Sequence, residues 1–373
     1  MNAAYWLLSV WVALSIVLLW AALAATVRHF GRPRSGPVPV LPMTLIKPVR
    51  GLDDGMRENF ESVVAADPTR ALQVLIALET EADPAYPVAR AFAAAHPDRD
   101  ISVLLTGLAG GRMGKIHNMI EALPRALHDR VIFSDADTRT TRALVEETSE
   151  AFASGHDAVY AMPYHVPAAG LGGLCFWVAF NHFFAVLQAL SYQAGHYHFY
   201  AGAWMAYTKE SLRRVGGLEP FAHIIADDAA IGLRVSATGA RKALLRAPVP
   251  VSETGTSPRQ AYDHLAKWCI MGRWVAPAAY VLIPVLGPGL PALLLLCLGG
   301  KALFLAYVMS RMAVAWLQDR AVSGRALALP RYLVMAAADL GMLVFWAAGF
   351  RPRLLWRGTT YRLFPGGRVE VVA

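Results

Sequence analysis

The chain has 373 residues, of which 56% are hydrophobic and 17% charged, with a formal net charge of +8 and a mean hydropathy of +0.39. Soluble domains average roughly 45–50% apolar and about 25% charged, so this composition excludes an ordinary soluble protein, and the length excludes one small domain. The positive balance suits an anionic membrane surface or an anionic substrate such as a nucleotide diphosphate; because the apolar excess sits at the two ends, nucleic acid is not expected as a partner. Cys175, Cys269 and Cys297 are far apart, which implies neither a disulfide framework nor a zinc site.

Residues 5–27 (YWLLSVWVALSIVLLWAALAATV) are almost wholly apolar and long enough to cross a hydrocarbon core of about 30 Å. A cleaved signal peptide would need a positive charge ahead of the run, and MNAA has none. Arg28, Arg32 and Arg34 follow instead, which by the positive-inside bias puts the next domain in the cytoplasm. Residues 36–41 (GPVPVL) read as a linker.

From residue 43 to about 251 the pattern is that of a globular domain. Short apolar runs read as strands: MTLIKP, LQVLIAL, ISVLL, RVIFSD, AVYAMP and ALLRAPVPV. PAYPVARAFAAAH, KIHNMIEALPRAL and ALVEETSEAFASG between them read as helices. The alternation predicts a layered α/β domain with a largely parallel sheet, whose ligands bind beyond the carboxyl ends of the strands.

Several sites lie at those ends. Lys47-Pro48, with Gly51 close behind, forms a turn that can approach a nucleotide. Gly114-Lys115 and Asn118 open a helix, where a lysine can hold a phosphate. Asp135-Ala136-Asp137 follows an apolar strand and puts two carboxylates at a sheet mouth. Mg²⁺ or Mn²⁺ takes such oxygen ligands together with substrate phosphates, whereas the plain alternative is a strand-end turn with an Asp cap. Asp227-Asp228 precede an amphipathic run, so one can cap a helix or act as a general base. His264, Lys267 and Trp268 share one helical face, fit either to neutralise a leaving diphosphate or to lie at a membrane interface. Residues 170–200 are unusually aromatic, as a core helix or as an acyl-chain entrance near Phe176 and Trp177. Candidate membrane segments follow at about 275–300, 301–317 and 331–350, the first broken by Gly287-Pro288-Gly289 and the second carrying Lys301 and Arg311.

The order of these pieces is more specific than any one of them. KPVRG, ETEADPA, GKIHNM, FSDAD, AGAW followed by VGGLE, ADDAAIGLRV, a basic-Trp motif and WRGTTYRL run in register over about residues 44–365. In these motifs the chain resembles the ceramide glucosyltransferase family with its bacterial, hopanoid-associated relatives (glycosyltransferase family 21-like). That resemblance implies a GT-A fold: an α/β, Rossmann-like mixed sheet flanked by transmembrane helices. The layout it suggests is an anchor at 1–30, a cytoplasmic catalytic domain at 36–274, membrane segments at 275–350 and a basic tail at 351–373.

The resemblance also implies a function, inverting transfer of a hexose from a UDP-sugar to a lipid hydroxyl, ceramide first, at a bacterial inner membrane and with a divalent cation. Asp135 and Asp137 would take the metal. Asp228 would be the base, with Asp227 beside it. His264, Lys267 and Trp268 match the family's basic-Trp motif, although His and Lys stand where it has Gln or Arg and Arg. Lys47, Pro48, Lys115, Asn118 and Asp135 would line the donor site. Thr80 stands where the family has its first Asp, so Glu79, Glu81 or Asp83 would substitute. The rivals are transfer to a hopanoid or diacylglycerol, a processive polysaccharide synthase, and a non-catalytic membrane scaffold that keeps the fold.

Overall fold

The computed structural model describes residues 3–32, 39–53, 55–165, 170–197, 200–251, 257–275, 277–356 and 358–372. The first half of the expected 36–41 linker, together with Arg34 and Arg357, lies outside the described residues.

The strands of the catalytic part begin with β1 (Met43–Pro48), β2 (Leu72–Leu78), β3 (Ile101–Leu105), β4 (Arg130–Phe133), β5 (Ala158–Tyr160), β6 (Pro163–His165) and β7 (Met205–Thr208). Next come β8 (Lys242–Leu244) and β9 (Val249–Val251), so the run ALLRAPVPV is two strands rather than one. The sheet order is β3-β2-β1-β4-β7-β5-β8, and β6 pairs with β9 in a separate ladder. Every neighbour is parallel except β7, which runs antiparallel to both β4 and β5. This is the mixed α/β sheet the sequence predicts.

All residues of β1 and β2 are buried, as expected of strands covered on both faces. Alternate side chains feed two cores. Ile46, Leu75 and Phe133 face one, and Leu45, Val74 and Ile132 face the other. The covering helices are α2 (Met56–Ala66), α3 (Tyr86–Ala95), α4 (Gly114–Ala122) and α5 (Arg142–Ala153), after the N-terminal α1 (Ala3–Phe30). Thr141 caps α5 by accepting the Leu144 N–H.

The aromatic segment is α6 (Leu171–Ala179), a π-helical turn over Phe180–Phe184, and α7 (Gln188–Gln193). The domain continues through α8 (Lys209–Arg214), α9 (Asp227–Ala237) and α10 (Pro258–Val275). The expected membrane segment at 275–300 is three short helices, α11 (Pro277–Val281), α12 (Ile283–Leu286) and α13 (Gly289–Cys297), broken at Gly287-Pro288. The break falls at the Gly287-Pro288-Gly289 run that interrupts the apolar sequence. Then come α14 (Lys301–Ser323) and α15 (Val334–Ala348).

Among the described residues, three helical stretches are long and apolar enough to cross a membrane: Ala3–Phe30, Leu171–Gln193 and Leu329–Ala348. The second was read from sequence only as core or entrance. Its apolar window is 67% buried in the protein, against 17% and 22% for the others, so it packs mainly as core. α14 carries more charge, and its two buried charged residues, Arg311 and Asp319, both have partners. Arg311 donates to both oxygens of Asp339 on α15, at 2.6 and 2.8 Å, with Tyr307 on the same carboxylate. Asp319 collects Tyr164, Trp177 and the Tyr332 hydroxyl, tying β6 and α6 to α14.

The segment expected as a basic tail is folded. β10 (Arg353–Trp356), β11 (Thr359–Leu363) and β12 (Val369–Val372) form an antiparallel sheet. Its inner residues Leu354, Tyr361, Leu363 and Val369 join the core around Ile225 and Ile231. Backbone bonds from Ile225 N to Gly367 O and from Val369 N to His223 O lock it to the segment before α9.

Candidate active site

The cleft lies where topology places it, beyond the carboxyl ends of β1 and β4. β4 ends at Phe133, and the next five residues are Ser134 to Thr138. A buried lysine at the end of the neighbouring β1 fixes them. Lys47 Nζ donates to Ser134 Oγ (3.2 Å), Asp135 O (2.9 Å) and Thr138 Oγ1 (3.1 Å). Asn59 Nδ2 donates to Ala136 O. All three ammonium donors are used within the protein, so Lys47 braces the acidic loop from behind and does not line the cleft. Burial pushes its pKa down to about 8 against the pull of Asp137 and Asp135.

The loop presents Asp135 and Asp137 to the cleft. Lys115, at the start of α4, meets Asp135 Oδ1 at 2.6 Å. Burial works to lower the Lys115 pKa, but Asp135, Asp227 and Asp228 outweigh it and hold the ammonium above the usual lysine range. Burial raises Asp137 to about 7, helped by repulsion from Asp135 and Asp53.

The second acidic group arrives on α9, whose first residues are Asp227 and Asp228. Asp228 Oδ2 accepts the Gly202 N–H and Oδ1 the Ala229 N–H, each at 2.8 Å. Gly202 is the point of convergence. A side-chain carbon there would lie 2.2 Å from Lys115 Nζ and 3.3 Å from both Asp135 Oδ2 and Asp228 Oδ2. Only glycine leaves room for the three groups to meet. Asp227 is buried with Oδ2 unpartnered, and its pKa rises to about 6 through burial, opposed by Lys115 and reinforced by Asp228 and Asp135.

The other half of the cleft is aromatic. His264, Lys267 and Trp268 sit on α10 and line it, together with Phe180 and Phe184 of the π-helical turn. Lys267 Nζ lies 3.1 Å from the ring centre of Trp356 on β10, a close cation–π contact. His264 packs edge-on against Trp268 and Trp356. The cavity has a volume of ≈ 440 Å³, within the range of small-molecule sites.

Of the residues singled out in the sequence, the fold brings Pro48, Lys115, Asn118, Asp135, Asp137, Asp227, Asp228, His264, Lys267 and Trp268 to one cleft. Asn118 also ties strand ends together, donating to Val49 O and Ala77 O. The three alternatives for the first acid separate. Glu79 stands 3.7 Å from Arg50 at the rim. Asp83 is consumed by the Gly51 and Ala85 N–H groups, and the first of these holds a left-handed glycine turn. Glu81 is exposed and accepts from Tyr86 Oη. Trp177 is drawn away to Asp319, while Phe176 stacks on His165. Sequence reasoning missed Asp53, Gly202, His165, Tyr200 and Trp356 as cleft residues. For Gly202 the signal was present in AGAW.

The donor set suits a divalent cation held jointly with a ligand. Among the described residues no three His, Cys, Asp or Glu side chains cluster as a complete protein cage. Two carboxylates with a third, Asp53, crowding one of them form an anionic pair that a cation would relieve, with phosphate oxygens and water completing the shell.

Comparison with known proteins bears on the family and the fold. The family model described as glycosyl transferase family 21 matches residues 7–369. The chain belongs to glycosyl transferase family 21. Among curated proteins it is similar to Ceramide glucosyltransferase 3 of Caenorhabditis elegans, 25% identical over 232 residues, which is 61% of this chain and 49% of that protein. The chain thus spans about half the length of that relative. The fold is similar to that of the mannosyltransferase PcManGT from Pyrobaculum calidifontis, solved with GDP-Man and Mn²⁺, at 19% identity and a TM-score of 0.51, covering 91% of this chain and 96% of that one. A looser match is glucosyl-3-phosphoglycerate synthase from Mycobacterium tuberculosis, solved with Mn²⁺, UDP-glucose and phosphoglyceric acid, at 15% identity and a TM-score of 0.38, covering 61% and 78%. The central sheet of this family 21 chain has the GT-A-like architecture expected from its motifs.

Proposed function

We propose that this family 21 protein is an inverting hexosyltransferase that moves a sugar from a UDP-sugar to the hydroxyl of a membrane lipid, with ceramide as the first acceptor to test. The observation that carries the reading is the convergence of Lys115, Asp135 and Asp228 on Gly202. One side of that point holds a cation and an acidic pair suited to a diphosphate, and the other holds a carboxylate free to receive a proton.

In this reading Asp135 and Asp137 hold Mg²⁺ or Mn²⁺, which when bound neutralises the donor diphosphate. Lys115 lies in the same position to pair with a phosphate oxygen, exchanging its present bond to Asp135. Glu79, with Arg50, is the acid best situated to replace the family's first Asp, at the nucleoside end. Asp228, aimed by two backbone N–H groups, takes the proton of the acceptor hydroxyl as its oxygen forms the bond to the anomeric carbon. The bond to the diphosphate breaks on the opposite face, so an α-linked donor gives a β-linked product and the proton ends on Asp228. Lys267 supports the departing charge, and His264, Trp268 and the π-turn phenylalanines wall the acceptor side. The apolar helices hold the protein in a bilayer, and Arg28 in the last turn of α1 with Arg32 just beyond it favours a cytoplasmic catalytic domain.

Membranes carrying the full chain, supplied with a panel of UDP-sugars and with ceramide, hopanoid polyol or diacylglycerol, test this directly. A single glycolipid that depends on Mn²⁺ or Mg²⁺ is expected. Polymer formation would revive a polysaccharide synthase, and no turnover of any donor would favour a scaffold.

A further inference from the structure

The C-terminal sheet has two faces of opposite character. The inner one buries Leu354, Tyr361 and Leu363, and Leu354, Trp356 and Tyr361 line the cleft. The outer one exposes Arg353, Leu355, Arg362, Arg368 and Glu370. In the register of β10 and β11, Arg353 lies directly opposite Arg362, and like charges paired across strands are unfavourable. Among the described residues neither arginine is in an ion pair. Arg362 does lie opposite Glu370 in β12, but that carboxylate is shared with Arg368 at 3.9 Å. Leu355 projects on the same face beside this charge and is 70% exposed.

The sheet's position says what would offset that repulsion. α15, the larger part of the apolar Leu329–Ala348 stretch, ends only five residues before β10 begins. Phe350 is exposed in the connection, and Arg351 is fastened to Tyr262 of α10. Exposed arginines with a protruding leucine, next to the end of an apolar helix, match the chemistry of an anionic bilayer surface. We propose that the outer face of the β10–β12 sheet docks on the anionic headgroups of the membrane, with Arg353 and Arg362 as the charge contacts and Leu355 as the apolar one. Docking holds the strand whose other face presents Trp356 to Lys267, so bilayer charge steadies one wall of the cleft. The inference rests on the membrane reading of the apolar helices and not on which sugar or acceptor is used.

The test uses the full chain in neutral detergent, titrated with phosphatidylglycerol or phosphatidylcholine and followed by native mass spectrometry. An arginine near an anionic surface strengthens binding about fivefold. The Arg353→Gln/Arg362→Gln variant should therefore bind phosphatidylglycerol about twentyfold more weakly, with phosphatidylcholine unchanged. Its melting temperature in neutral detergent should not fall, because the opposed charges are gone. The Arg353→Lys/Arg362→Lys variant should keep the preference. Equal phosphatidylglycerol binding by wild type and the glutamine variant, or equal loss in the lysine and glutamine variants, overturns the proposal. UDP-sugar binding, measured on the same samples, reports on the cleft separately, so failure of the donor reading leaves a different signature.

Discussion

Asp228 has both carboxylate oxygens oriented by backbone N–H groups, yet each keeps a lone pair for an incoming hydroxyl. Asp228→Asn keeps the size of the side chain, gives up one of the two N–H bonds and removes the basicity. It should lower transfer by about 10²–10⁴ with donor affinity nearly unchanged, as read from kcat and from donor binding. Lys47 acts at one remove, through the backbone of the Asp135 loop. Lys47→Met should raise the Mn²⁺ concentration needed for half-maximal activity by about tenfold or more, the usual scale for groups supporting a metal ligand, and Lys47→Arg should not restore it because a planar fork does not fit three converging acceptors. Asp137, raised to about 7, binds a proton on folding. Its contribution to the metal-free protein is fully present below the ordinary carboxylate range near pH 4 and is lost as pH rises through about 7. Thermal melts without metal should show wild type losing stability over that window relative to Asp137→Asn, and parallel curves would contradict the assignment. At this scale the acids were legible because a strand end followed by Asp-x-Asp is a local pattern. The role of Lys47 was not, because its partners lie 87–91 residues away in the chain.

The long buried strands β1 and β2 were readable from their unbroken apolar runs, whereas β7 and the three C-terminal strands were not. The C-terminal strands interleave charged with apolar residues, and β7 follows the aromatic segment through AGAW with no polar break to mark its start. The cost of missing β7 was functional, since Gly202 lies just ahead of it. Gly202→Ala should fold, because the flexible Lys115 end can yield, but the Lys115–Asp135 contact cannot persist beside the new methyl. Transfer should fall at least about tenfold with the melting temperature little changed. The spacing of His264, Lys267 and Trp268 was correct for one helix face, but no local pattern indicates that Trp356, 89 residues beyond Lys267, covers the lysine.

Over the whole molecule, α14 connects catalytic and apolar parts through buried polar groups on one side of a single helix. Arg311 and Asp319 are eight residues apart, about two turns, and each is satisfied by a different set of elements. Charge inside an apolar region looked in sequence like an obstacle to a membrane segment, and in the fold it is the cross-link. Arg311→Met leaves Asp339 buried without its cation and should destabilise the protein by roughly 3–5 kcal/mol, while a matching Asp339→Leu in the same chain should recover much of the loss. The central claim is sugar transfer with Asp228 as base at the Gly202 convergence. Its most direct measurement is the anomeric configuration and yield of the glycolipid made from UDP-α-glucose and ceramide by the full chain in membranes with Mn²⁺, wild type against Asp228→Asn. The account predicts a single β-linked product from wild type and near-complete loss in the variant; an α-linked product, or equal yields from the two proteins, would contradict it.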